Sequence, residues 1–335
     1  MTAALDWRPV RWTALGCYVV VLVSWSSKYG VPIGHDVLFA WIFVGLTCAS
    51  IGKSWKSIGH MLIDWGPFLL VLIAYDLSRG WADNLGLRVH FTPQIDADKI
   101  LFFGHVPTEW LEQHLFHPRS PTAFGVGGIR PAPTTPTRWY EIVFDLVYVS
   151  HYLASFVLAA FLWVKERARF QAFARRFTTL SFLGFITYAL FPAAPPWMAA
   201  RDRYLDPAVG RMGGRGFAWL HLHSIRNVID IGAQSANLVA AVPSLHAGFA
   251  TLVAITLWER APTWARLLIV AYPLLMGFAL VATGEHYVID IILGAAYAFA
   301  VHAAWNRIEP WWTRRSVLVG ESGPEPAPAR ALELA

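Results

Sequence analysis

Residues 238–305 read LVAAVPSLHAGFATLVAITLWERAPTWARLLIVAYPLLMGFALVATGEHYVIDIILGAAYAFAVHAAW. Three apolar runs, 238–258, 265–282 and 287–305, are separated by short polar breaks. Each approaches the roughly 20 apolar residues that a helix needs to cross a bilayer. Bare backbone amides are costly in lipid, so such runs are expected as helices and not as open strands. Five further runs precede them, at 12–27, 35–51, 61–77, 140–164 and 177–197, the first two short. The expectation is an all-α integral membrane protein with about eight transmembrane helices.

The composition of the 335-residue chain agrees with that expectation. Hydrophobic residues make up 56% and charged residues only 15%, against about 25% charged in an average soluble domain. Mean hydropathy is +0.44, and 17 residues are Trp. A disordered chain would need low hydrophobicity and high charge. A disulfide-rich secreted class does not fit two cysteines, Cys17 and Cys48, that both fall in apolar runs. They read as small packing residues. The net charge of +5 does not argue for nucleic acid, because basic residues in a membrane protein mostly mark cytoplasmic loops.

The loops divide by charge. Arg8 and Arg11, Lys53 and Lys56, Lys165 to Arg176, Arg260 and Arg266, and Arg307, Arg314 and Arg315 fall on one side of an eight-span arrangement. The positive-inside rule makes that side the cytoplasm. Both termini are then cytoplasmic, and the connections 78–139 and 198–237 lie outside, with the plasma membrane the expected location. The start loosely resembles a signal peptide, but Trp25 fits a cleavage site poorly, so an uncleaved span is expected. The chain divides into a three-span region (1–77), an outer segment (78–139), a five-span core (140–306) and a Pro/Ala/Glu-rich tail (307–335) expected to be largely disordered. In the outer segment, 98–117 reads as one or two helices on the membrane surface, and 118–137 as a Pro/Gly loop.

Chemistry gathers at two span starts. The run 242–246 is VPSLH and the run 284–290 is GEHYVID. His286 and Asp290 are four apart, so they share a helix face. A carboxylate there can take one imidazole proton and leave the other nitrogen free to attack. An ionisable Asp inside an apolar span points by default to function. The eight-span arrangement puts His246 and His286 at one membrane level. Beside them runs an outer connection carrying Arg201, Arg203, Arg211, Arg215 and Arg226. Guanidinium forks suit phosphate oxygens. Two imidazoles with arginines suit phosphoryl transfer, one ring attacking and the other protonating the leaving oxygen. Asp145, Tyr148 and His151 in the fourth span could line a headgroup site or support a catalytic His. They could equally form an internal hydrogen-bond network. Glu285 could bind an acceptor hydroxyl or be a solvated acid.

The segments Pro243-Ser244-Leu245-His246 and His286-x-x-x-Asp290 resemble the second and third motifs of the type-2 phosphatidic acid phosphatase superfamily. Phe191-Pro192-Ala193-Ala194-Pro195-Pro196-Trp197 resembles its inositolphosphotransferase branch, which includes inositol phosphorylceramide synthases. The resemblance covers about residues 140–305. It implies a helical-bundle core with His286 as nucleophile through a phosphohistidine, Asp290 orienting it, His246 as general acid and base, and Ser244 binding phosphate. It also implies no metal and no cofactor. Two departures stand out. The superfamily's first motif is absent, with Ala123 where its Lys would precede Arg130-Pro131, and Leu280 stands where an Arg is usual six residues before the nucleophile. Arg201, Arg203 and Arg226 become the candidate phosphate ligands. The implied partners are a membrane lipid donor and a lipid or polyol hydroxyl acceptor. Water in place of the alcohol would make a phosphatase. A non-enzymatic carrier and a bis-His haem protein using His151, His246, His286 or His302 are the readings from other classes.

Overall fold

The computed structural model describes residues 6–29, 35–82, 87–117, 136–206, 208–220 and 237–321. Among the described residues the chain is all-helical, with twelve helices. They are α1 (Arg8–Tyr29), α2 (His35–Ala49), α3 (Trp55–Ala82), α4 (Thr92–Leu101), α5 (Pro107–Leu115), α6 (Trp139–Lys165), α7 (Arg167–Leu190), α8 (Pro196–Arg201), α9 (Arg215–Trp219), α10 (Leu245–Trp258), α11 (Thr263–Ala282) and α12 (Val288–Glu321). α10 sits centrally and packs against α6, α7, α11 and α12.

Aromatic residues hold α3, α6 and α7 together. Phe170, Phe173 and Phe177 recur at helical spacing on α7 and so share a face. That face meets Phe68 of α3, whose ring stacks on Phe177 at 4.9 Å between centroids. Phe156 of α6 closes the group at 5.7 Å from Phe68. Lipid tails are as apolar as these side chains, so close packing supplies the attraction here, not removal from water.

Three helices are long and apolar enough to cross a membrane: Arg8–Tyr29, Thr263–Ala282 and Val288–Pro310. The two halves of α6, Trp139–His151 and Leu153–Lys165, are bent by 49° and make a fourth if taken as one span. Val37–Ala49, Gly59–Tyr75 and Leu245–Trp258 are apolar but shorter. Two expected spans change their limits. The run 177–197 stops being helical at Leu190, before Pro192, Pro195 and Pro196, which have no amide proton to continue the ladder. Its helix extends instead back to Arg167, through arginines that lower its hydropathy. The run 238–258 is helical only from Leu245. The expected tail also begins later, since α12 runs on to Glu321; residues 322–335 lie outside the described residues.

The non-helical pieces pair with one another. Ala193 bridges His90 on one side and Ala240 on the other. Ala193 N donates to Val239 O at 2.7 Å, and Ala194 N to His90 O at 2.9 Å. The Pro-rich segment after α7 thus serves as the middle of a small backbone ladder. At the opposite end the basic residues gather and are paired. Arg167 meets Asp64 at 2.9 Å, Arg260 meets Glu166 at 2.5 Å, and Arg175 and Arg176 share Glu309 at 2.7 and 2.8 Å. Arg176 is buried. A buried guanidinium persists only when paired and hydrogen-bonded, and Asn306 Oδ1 adds a further bond at 2.8 Å.

Candidate active site

α10 and α12 meet backbone to backbone, because glycines stand at their contact. A Cβ on Gly294 of α12 would collide with the Ser244 carbonyl and lie 3.2 Å from Gly248 N. A Cβ on Gly248 of α10 would lie 3.2 Å from the Gly294 carbonyl. Small residues let membrane helices approach in this way. One hydrogen bond locks the register: Ser244 N donates to Asp290 O at 3.0 Å. The Ser244 hydroxyl is buried and caps α10 by accepting from Ala247 N at 3.4 Å, an ordinary task for Ser at a helix start.

This contact sets the two histidines edge to edge. His286 Nε2 lies 3.2 Å from His246 Nδ1. On its other side, His286 Nδ1 lies 3.3 Å from Asp290 Oδ2, which also accepts from Tyr287 N at 2.9 Å. His286 and Asp290 are both buried. A buried carboxylate beside Nδ1 favours the tautomer with the proton there and leaves an Nε2 lone pair. Such a nitrogen can act as a nucleophile, and a second imidazole at hydrogen-bond distance can move a proton. His151 packs against His246 with centroids 4.2 Å apart, and Tyr148 stacks on it at 5.5 Å. His151 Nδ1 is hydrogen-bonded to the Tyr148 carbonyl. The structure therefore brings His246, His286, Asp290, Tyr148 and His151 together.

Other expected site residues take different places. Asp145 accepts from Gly214 N at 2.7 Å and Phe217 N at 3.1 Å, so it anchors the start of α9. Arg201 is half-exposed and paired bidentately with Asp202 at 2.7 and 2.9 Å. Arg203 is exposed, at φ 67°. Arg226 lies outside the described residues. Arg211 lies beside the turn that carries His286 and shares the Trp197 ring with Arg201. Its guanidinium grips Glu285 with two bonds of 2.5 and 2.9 Å, and it lies over the Trp197 ring at 5.6 Å. Trp197 N in turn donates to Gly284 O at 3.3 Å. The Phe-Pro-Ala-Ala-Pro-Pro-Trp segment thus ends against the turn that carries His286.

The sequence reading missed three carboxylates from α4 and α5. Asp98 accepts from Val288 N at 3.1 Å and Ile289 N at 2.9 Å, at the start of α12. Burial raises its carboxyl to about 6. Glu109 accepts from Asp206 N at 2.9 Å. Glu112 accepts from Gly210 N at 2.9 Å, and its other oxygen would lie 2.5 Å from a Cβ on Gly284. Burial, and secondarily Glu285, push the Glu112 carboxyl well above the usual range. One signal was available: Ile95 and Asp98 are three apart, which on a helix puts an acid in line with an apolar residue.

The PAP2 superfamily pattern matches residues 123–304, more than half of the chain, and the chain belongs to that superfamily. It is 30% identical over 141 residues to the phosphoinositol dihydroceramide synthase of Bacteroides thetaiotaomicron, covering 40% of this chain and 45% of that one. It is 28% identical over 155 residues to the inositol phosphorylceramide synthase catalytic subunit aur1 of Schizosaccharomyces pombe, covering 45% of this chain and 36% of that one. The chain therefore spans less than half the length of these curated relatives. No solved structure matches it.

Proposed function

We propose that this PAP2-superfamily chain is a membrane transferase that moves a phospho-alcohol group from a lipid donor to a hydroxyl acceptor through a phosphohistidine at His286. The observation that carries it is the Asp290–His286–His246 line, with contacts of 3.3 and 3.2 Å. In the first step His286 Nε2 attacks phosphorus, the bond from phosphorus to the donor's leaving oxygen breaks, and His246 gives that oxygen a proton. In the second, His246 takes the acceptor's hydroxyl proton, the acceptor oxygen attacks phosphorus, and the phosphorus–nitrogen bond breaks. The contact between the rings is then the resting arrangement, opened when phosphorus enters. No step requires a metal or cofactor.

Arg211 is the proposed phosphate-binding cation. Glu285 holds it beside the turn that carries His286, through Nε and Nη2. In the proposed complex the lipid phosphate takes this fork over from Glu285, and the fork then suits two phosphate oxygens and supplies the charge that Leu280 does not. The relatives' names favour a phosphoinositol-type headgroup with a ceramide-type acceptor, and the FPxAPPW segment favours transfer over hydrolysis. About eight spans, counting the shorter apolar helices and α7, fit the pairing of the basic loops at one end. The histidines are at the starts of α10 and α12 and the basic groups at their ends, so the site faces away from the cytoplasm. At 1.5 Å per residue, the 14 residues of α10 reach only about 21 Å. His246 therefore lies near the headgroup–acyl boundary, where a lipid phosphate sits.

The test is to incubate the purified full chain with labelled phospholipids, with and without alcohol acceptors, and to trap the adduct under mild quench. A labelled phosphohistidine that disappears in His286→Ala, and transfer to an alcohol in preference to water, are expected. Full turnover by both His286→Ala and His246→Ala would overturn the proposal. Product formed only with water would make the enzyme a phosphatase.

A further inference from the structure

The first amides of a helix have no partner within the helix and must find one elsewhere. For α12 the partners are two buried carboxylates. Tyr287 N goes to Asp290 Oδ2 at 2.9 Å. Val288 N and Ile289 N go to Asp98 Oδ2 and Oδ1 at 3.1 and 2.9 Å. Three consecutive amides immediately after His286 are therefore fixed. The carboxylate holding two of them comes from 190 residues earlier in the chain. Asp98 is fully buried. Its helix is seated by Ile95, which packs in one cluster with Ala199, Ala200 and Tyr287. α4 is thus keyed to the turn that carries the nucleophile, with no contact to the reacting atoms required.

We infer that Asp98 is a positioning residue, which sets the rotation of the first turn of α12 and with it the direction of His286 Nε2. The inference rests on the proposed role of His286 as nucleophile. Its consequence is kinetic: a displacement of about 1 Å at a reacting centre costs on the order of 100-fold in rate. It also bears on pH. The titratable groups facing Asp98 across the contact are Asp290 and Tyr287, while Asp96 and Lys99 on its own helix are exposed. Near pH 6 the Asp98 carboxyl gains a proton. Its hold on the two amides weakens below that pH, because a neutral carboxyl is a poorer acceptor than a carboxylate.

The experiment measures kcat, KM and the single-turnover rate of adduct formation on the full chain in lipid, across pH 5 to 8, with melting followed in parallel. Asp98→Ala is expected to lower kcat and the adduct rate roughly 10- to 100-fold with KM within about twofold. Asp98→Asn keeps one acceptor oxygen and should recover part of the loss. It should also lose one protonation step from the acid limb of the profile. Asp96→Asn should match the unmodified protein. If Asp98→Ala does not fold, the nearly isosteric Asp98→Asn carries the test through its pH profile. An unchanged kcat, a loss confined to KM, or an unaltered acid limb in Asp98→Asn would overturn the inference. His286→Ala separates the two claims. If it stays active, the nucleophile reading fails. If it is dead while the Asp98 variants behave as the unmodified protein, only the positioning role fails.

Discussion

Gly294→Ala adds one methyl group at the point where α10 and α12 touch. That methyl would collide with the Ser244 carbonyl and sit 3.2 Å from Gly248 N. Neither neighbour is a side chain that can rotate away. Both belong to backbone tied down by the bond from Ser244 N to Asp290 O at 3.0 Å. The clash can be relieved only by moving α12 off α10 by about 1 Å, since packed interiors have little slack. Such a shift takes that bond and the 3.2 Å ring contact of His246 with His286 beyond hydrogen-bond range, which ends near 3.5 Å. Overpacking of this kind costs about 1–3 kcal/mol, and misplacing the reacting groups costs on the order of 100-fold in kcat. Transfer assays with labelled lipid, alongside thermal melts of the full chain in detergent, read both effects. Gly66→Ala is the control, because a Cβ there meets nothing within 4 Å. A Gly294→Ala protein with unchanged melting and kcat within twofold would refute the claim that this crossing sets the catalytic geometry.

Asp290→Asn removes the charge from the group whose Oδ2 meets both His286 Nδ1 and Tyr287 N. An amide oxygen in that place keeps both bonds but no longer stabilises positive charge on the ring, so kcat should fall about 10²- to 10³-fold, with melting little altered. Glu112 holds its proton longer folded than unfolded. The folded state then binds more protons, so stability falls as pH rises above the unfolded value of about 4.3. Glu112→Gln should flatten that slope in melts across pH 4 to 8, and Glu112→Ala should destabilise at every pH. Arg176→Ala removes one of the two guanidiniums on Glu309 and leaves Arg175 paired with it, so it should cost about 1.5–3 kcal/mol for the lost charged hydrogen bonds, while specific activity of the folded fraction stays the same. Arg211→Lys should raise KM for the lipid donor and lower kcat, because an ammonium cannot reproduce the guanidinium fork; unchanged kinetics would remove Arg211 from phosphate binding.

Local signals in the chain fared according to their range. The pairing of His286 with Asp290 is present at 3.3 Å, but not on one helix face as the spacing suggested: His286 lies in the turn before α12, and Asp290 in the first helical turn reaches back to it. The small ladder through Ala193 explains why the Pro-rich segment could be recognised but its work could not. It joins three stretches that are far apart in sequence. Span limits were blurred for a related reason. Hydropathy does not see that 238–244 lacks a helical ladder, or that α7 continues back through Arg175 and Arg176 because Glu309 neutralises them. Arg201 looked as suitable as Arg211 by composition. Tertiary packing pairs the first with its neighbour Asp202 and the second with Glu285, 74 residues away.

The sequence by itself determined an all-helical membrane protein, two histidines at helix starts, and a carboxylate beside one of them. These follow from composition and from spacings of a few residues, which local backbone geometry converts directly into proximity. Only the tertiary structure decided that Gly248 and Gly294 set the distance between the histidines. It also decided that Asp98 and Glu112 reach in from α4 and α5, and that Arg211 lies beside the turn that carries His286. Those contacts join residues 46 to 191 positions apart. At such separations the partner of a buried charge or an unpaired amide is chosen by how helices pack, and no local pattern encodes that choice.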